Sequence, residues 1–242
     1  MPPEAGPVRP IVFIHLPKTA GMTLRGVLES VYADHPIAFL GNLSKGGELA
    51  EFAALPEADR RAYALVAGHF PWGAQAVLPG ARTITVLRDP VERLISVYAY
   101  NKRAPKALHH HAINEGDLSL AECVESGLLR GEYNLQTNML RDKRAATPDQ
   151  ALASAKRNIR ACAAFGLVER FDDTLAYFAR ELRWPADAID PANREDRNIT
   201  ANRAKAGDLD PALLETLRRV TAIDRALYDD ATDLFKKRLI GR

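Results

Sequence analysis

The stretch from Pro10 to Leu24 constrains the chain more than any other. Ile11, Val12, Phe13 and Ile14 form a short apolar run of the kind that makes a buried parallel strand. The run halts at Pro17, and Leu24, Val27, Leu28 and Val31 then recur at helical spacing. Between strand and helix lies a turn made of Lys18, Thr19, Ala20, Gly21, Met22 and Thr23. A strand that feeds a helix through such a turn aims backbone N–H groups and the positive helix end at one point, which suits a phosphate. Lys18 adds a mobile cation there, and the hydroxyls of Thr19 and Thr23 add donors. The stretch reads as an anion cradle. It does not follow the Walker A order, G-x-x-x-x-G-K-[ST], because Lys18 and Thr19 precede Gly21 and no glycine lies upstream in the loop.

What surrounds the cradle is built from 242 residues, 47% apolar and 26% charged, enough for one well-buried globular domain covering residues 1–242. A formal charge of +2 is too small to imply a nucleic-acid partner, so an anion site has to come from local clustering. Cys123 and Cys162 lie far apart without metal-ligand spacing and read as small buried hydrophobes rather than a disulfide. The first ten residues are Pro-rich and lack the basic region and apolar core of a signal peptide. No apolar run approaches the roughly 18 residues that span a bilayer. The expectation is a soluble, cytoplasmic protein without a transmembrane segment.

Further along, His35 to Lys45 reads as a polar connection and Glu48 to Arg61 as an Ala-rich helix. Ala62–Ala67, Thr83–Leu87 and Ala163–Val168 are three more apolar runs with strand character. Helical segments are expected around Leu118–Glu125, Tyr133–Leu140 and Pro148–Cys162, then from Phe171 to Leu182, and finally from Asp210-Pro211 onward. The basic, His-rich stretch Lys102 to Gly116 reads as irregular, a segment able to lie over a cleft, and Asp187 to Gly207 as a long polar loop. Strands alternating with helices argue for an α/β fold with a parallel sheet covered on both faces, and ligands on such sheets sit beyond the carboxyl ends of the strands.

A second strand-to-helix turn follows Leu87. Asp89 fits an N-cap, Pro90 the first helical position and Glu92 the third, the pattern of a capping box. That gives Asp89 a structural job and argues against a Walker B aspartate on Mg²⁺. Arg88 offers a planar fork for two phosphate oxygens, and Ser96, two helical turns in, adds a hydroxyl. Arg93 reads as structural. At the end of the second of these four runs comes His69, whose imidazole titrates near working pH and makes it a candidate general base; a packed loop histidine is the plainer alternative. His15 stands beside the cradle, either touching an anion or buried and hydrogen-bonded. His109, His110 and His111 are adjacent, which does not let them converge on one metal ion, and read with Lys102, Arg103 and Lys106 as an exposed basic loop.

The order Pro17-Lys18-Thr19-Ala20-Gly21-Met22-Thr23 resembles the 5′-phosphosulfate loop of sulfotransferases that use 3′-phosphoadenosine 5′-phosphosulfate (PAPS), above all the carbohydrate branch related to heparan sulfate 2-O-sulfotransferases. Arg88-Asp89-Pro90-Val91-Glu92-Arg93-Leu94-Ile95-Ser96 is similar to their 3′-phosphate motif. Tyr133-Asn134-Leu135-Gln136-Thr137-Asn138-Met139-Leu140, Phe165-Gly166-Leu167-Val168-Glu169-Arg170-Phe171, and Leu227-Tyr228-Asp229-Asp230-Ala231 with Leu234-Phe235 resemble further family stretches, with Asn138 where Arg is usual. The resemblance implies a P-loop-like three-layer fold with a central parallel sheet. It also implies PAPS as donor, no metal, and a hydroxyl acceptor, a glycan above all. Lys18, Thr19, Ala20, Gly21, Met22, Thr23 and Leu24 would hold the phosphosulfate, and Arg88 and Ser96 the 3′-phosphate. Arg203 would contact the nucleotide from a closing loop. Lys18 and His69 would be catalytic, although the family's His-Gly-His reads Ala67-Gly68-His69 here. Two other readings use the same cradle: a nucleotide-dependent kinase, and a nucleotide-binding protein without catalysis.

Overall fold

The computed structural model describes residues 9–41, 47–189 and 204–241. Its strands are β1 (Ile11–Ile14), β2 (Ile37–Leu40), β3 (Leu65–Gly68), β4 (Arg82–Leu87) and β5 (Ala164–Leu167). They form one parallel sheet in the order β2-β3-β1-β4-β5, flanked by helices. Every residue of β1 is buried, as a central strand covered on both faces requires. Each such side chain stabilises the fold by about 1.5–3 kcal/mol. The four apolar runs are thus β1, β3, β4 and β5. The fifth strand, β2, lies in the stretch expected to be a polar connection. It is a four-residue edge strand, only half-buried throughout and bounded by Pro36 and Gly41, so neither its length nor its pattern stands out.

The strand order decides where a ligand can sit. After β1 the chain builds to one side, through β2 and β3, and then crosses to the other for β4 and β5. The connections therefore diverge between β1 and β4, which opens a crevice beyond their carboxyl ends. The helices α1 (Gly21–Val31) and α4 (Pro90–Arg103) leave those two ends.

Two helical expectations change in detail. The Ala-rich stretch is not one helix but two, α2 (Gly47–Ala54) and α3 (Glu57–Arg61), because Pro56 cannot continue the first and instead opens the second. The His-rich segment is folded rather than irregular. After α4 ends at Arg103, α5 (His110–Glu115) forms with Ile113 fully buried. Asn101, itself buried, donates to the Val97 carbonyl (2.9 Å) and accepts the His109 N–H (2.8 Å), tying the segment to α4.

The remaining helices are α6 (Leu120–Glu125), α7 (Leu135–Leu140), α8 (Pro148–Ala161), α9 (Phe171–Leu182), α10 (Pro211–Val220) and α11 (Ala222–Ile240). Residues 190–203, which include Arg203 and most of the expected Asp187–Gly207 loop, lie outside the described residues. Buried side chains form two clusters, one around the sheet and one in which α4 meets α5, α6 and α10 through Leu94, Ile113, Cys123 and Leu217. Cys162 belongs to the first cluster and Cys123 to the second, both as buried thiols.

Candidate active site

The turn after β1 is shaped by backbone. Lys18 and Ala20 take left-handed φ values of 68° and 57°, so the chain coils tightly into α1. The N-cap residue of α1, Ala20, offers no side-chain cap, and no acidic residue stands in the first turn. The N–H groups of Gly21, Met22 and Thr23 occupy that first turn, where a helix provides no acceptor of its own. The first turn of α1 thus carries no carboxylate of its own. Two expected contributions change. Thr19 is fully buried and its hydroxyl donates to the Leu16 carbonyl (2.8 Å), so only its backbone faces the turn. Leu24 has a fully buried side chain and an N–H that bonds the Ala20 carbonyl (3.1 Å), so it has no donor for an anion.

Beneath this turn lies His15. Its ring stacks on Phe13 (5.3 Å between centroids) and meets the His69 ring at a tilt (4.2 Å). It also fills the place where a side chain on Gly21 would begin: a Cβ there would fall 1.6 Å from His15 Nε2. Gly21 is thus required by the imidazole below it. Burial, foremost, and then the neighbouring His69, Lys18 and Arg25 lower the His15 pKa from 6.5 to about 3, so the ring is neutral.

His69 follows β3. Its Nδ1 lies 2.7 Å from the His15 carbonyl oxygen, which can only accept, so Nδ1 carries the proton and Nε2 keeps its lone pair. Burial lowers its pKa below 6.5, opposed by that hydrogen bond and by the Glu132 carboxylate. A neutral imidazole with a defined tautomer is the form a general base needs.

The turn after β4 is shaped by side chains. The Asp89 carboxylate accepts the N–H groups of Val91 (2.9 Å) and Glu92 (3.1 Å), and Pro90 takes the first helical position, as expected. The capping box is only half made. The Asp89 N–H goes to Glu169 (3.0 Å), while Glu92 accepts from the Ala206 N–H (2.8 Å) and lies 3.9 Å from Arg88. Arg225 bonds the other Asp89 oxygen.

The two turns touch. Arg88 Nη1 donates to the Lys18 carbonyl (3.1 Å). Arg93, fully buried, reaches the Pro17 carbonyl (3.5 Å) and pairs with Glu132 (3.1 Å), a structural bridge. The Lys18 ammonium lies 4.1 Å from the centroid of the Tyr100 ring. Arg93, Ser96 and Tyr100 share one face of α4 at spacings of three and four, so Ser96 stands between two residues that both meet the β1–α1 turn. Lys18 thereby neighbours Arg88, His15 and His69 neighbour each other beneath the turn, and Ser96 lies on the α4 face that meets it.

Other participants were not singled out by sequence as site residues. Tyr100 is one, exposed on α4 beside Lys18. Gln136 is another: its side-chain oxygen accepts the Arg88 N–H (2.9 Å) and its side-chain nitrogen donates to the Arg88 carbonyl (2.9 Å). The signal for Gln136 was its place in the Asn134–Leu140 resemblance, which says nothing of its partner.

No protein-family model matches this chain, and no curated protein matches it either. Among solved structures, a sulfotransferase from Alicyclobacillus acidocaldarius is similar in path, with a TM-score of 0.48 and 17% identity over 94% of this chain and 99% of that one. A likeness that distant does not carry function. Among the described residues, no helix is long and apolar enough to cross a membrane, and no three His, Cys, Asp or Glu side chains gather as a metal cluster.

Proposed function

We propose that this chain is a sulfotransferase that moves the sulfuryl group of PAPS to a hydroxyl acceptor, with a carbohydrate as the acceptor class that the motifs imply. The observation that carries the reading is the bond from Arg88 to the Lys18 carbonyl. It joins the two candidate phosphate turns at the point where the sheet's connections diverge. The residues fit such a donor: Ala20 gives α1 no side-chain cap, its first turn holds no acidic residue, and a lysine and an arginine flank it.

In this reading the first-turn N–H groups of α1 and the Lys18 ammonium hold the 5′-phosphosulfate, while Arg88 and Ser96 receive the 3′-phosphate. Bound PAPS supplies an activated sulfuryl group. His69 Nε2 takes the proton of the acceptor hydroxyl as its oxygen bonds to sulfur. Lys18 stabilises the phosphate oxygen that keeps the electron pair when its bond to sulfur breaks. A bonded Nδ1 and a neutral His15 beside it keep His69 in the required tautomer. A kinase reading is less well supported, since both Asp89 oxygens are engaged by the α4 cap and Arg225.

The test is a thermal-shift comparison of adenosine 3′,5′-bisphosphate with ATP and Mg²⁺. Preferential stabilisation by the bisphosphate is expected, because ligand binding to the folded state raises apparent stability; preference for ATP with Mg²⁺ overturns the reading. His69→Ala should retain bisphosphate binding and lose turnover by about 10²-fold or more. In the wild type, turnover should rise with pH through a limb lying below 6.5, because the lowered pKa keeps His69 neutral above it.

A further inference from the structure

We infer that Gln136 is a positioning residue for Arg88, held in place by reciprocal caps between α7 and α11; the role rests on the donor reading above. The ladder between β4 and β5 ends with Leu87 opposite Leu167, so Arg88 is the first residue past the sheet. There the Gln136 carboxamide does what another strand would do. It accepts the Arg88 N–H and donates to the Arg88 carbonyl, both at 2.9 Å. The Arg88 backbone is thereby held as if β4 ran one residue further, which fixes the point from which its guanidinium reaches Lys18. Among side chains of this length only an amide offers both a strong acceptor and a donor: an ionised Glu lacks the donor, and Met lacks the donor and has only a weakly accepting sulfur.

Gln136 is itself immobilised. It is 1% exposed, and its backbone N–H is accepted by Asp224 (3.1 Å). Asp224 also accepts the N–H and hydroxyl of Thr137, each at 2.7 Å. This carboxylate, on the first turn of α11, thus caps the amino end of α7. The favour is returned by Asn134, whose side-chain oxygen accepts the N–H groups of Ile223 (3.0 Å) and Asp224 (2.9 Å) at the amino end of α11. Asn134 sits at a left-handed φ of 51°, a conformation asparagine tolerates better than most residues. Two helices far apart in sequence cap each other, and Gln136 projects from the junction onto Arg88.

The experiment measures affinities for adenosine 3′,5′-bisphosphate and adenosine 5′-monophosphate by calorimetry, in the wild type, Arg88→Ala, Gln136→Met and the double variant. Gln136→Met should weaken the bisphosphate by roughly tenfold and leave the monophosphate within about twofold. The double variant should bind the bisphosphate no more weakly than Arg88→Ala alone. Equal losses for both nucleotides, or additive losses in the double variant, overturn the role, since a merely structural defect would not select the 3′-phosphate. Should Gln136→Met not fold, Gln136→Glu keeps the shape and the bond from the Arg88 N–H, and an intermediate, bisphosphate-selective loss is expected; an unselective loss overturns the role. Wild-type protein with no preference for the bisphosphate overturns the donor reading and this role with it. A preference retained in full by the Gln136 variants overturns this role alone.

Discussion

In the turn after β1 the backbone makes the site. Lys18 and Ala20 coil through positive φ, and the N-cap and first turn of α1 hold no capping or acidic side chain of their own. In the turn after β4 the helix end is already occupied, because the Asp89 carboxylate sits on the first N–H groups of α4 and Arg225 covers its far side. An anion near α1 meets aligned peptide dipoles, whereas one near α4 meets side chains, the Arg88 guanidinium first among them. The difference teaches that a strand-to-helix turn is not by itself a phosphate site. What matters is whether the protein has spent the helix terminus on its own carboxylate.

Four changes would break or sharpen that contrast. The largest effect is expected for Lys18→Ala, which should lower turnover by about 10²–10³-fold by removing the charge nearest the leaving oxygen; a loss below tenfold in steady-state assays would leave the backbone alone in charge of the first turn. Next, Gly21→Ala should cost about 1–3 kcal/mol, since the new Cβ enters the His15 ring. Adding His15→Ala to Gly21→Ala should restore part of that stability in chemical denaturation, and no recovery would mean that the ring is not what the glycine accommodates. Third, Asp89→Ala should cost about 1 kcal/mol as a lost cap while bisphosphate affinity holds. If calorimetry showed affinity falling as far as in Lys18→Ala, the second turn would be working like the first.

The last change concerns acid. His15 has a folded-state pKa of about 3 against an ordinary 6.5. Between those values the unfolded chain binds the proton and the folded chain does not, so this histidine's contribution is lost as pH falls from 6.5 toward 3. His15→Asn should therefore flatten the decline of Tm with acidification over that window. An unchanged slope would assign the acid sensitivity to other groups.

The fold was legible where burial leaves a mark on composition. Ile11–Ile14 and Thr83–Leu87 are apolar because both sheet faces are covered, and Asp89-Pro90 announces its helix by local chemistry. Ile37–Leu40 escaped because a half-buried edge strand has little to distinguish it from a loop. In the site, the grouping of Lys18 with Arg88 was readable from motif order. The inward turn of the Thr19 hydroxyl was not, since the same residue type serves either an anion or a carbonyl. Nor were the partners of Arg88, because Gln136 lies 48 residues away and the brace behind it 88, distances at which hydrogen-bond pairing leaves no local pattern.

The mutual capping of α7 and α11 has a consequence for synthesis. The cradle is encoded well ahead of α11, yet the brace that aims Arg88 is incomplete until Asp224 has cleared the ribosome and docked. In the proposed reading, a nascent chain would carry its first phosphate turn long before it could grip the other end of a nucleotide. Donor capture would then wait until Asp224 has been made and docked.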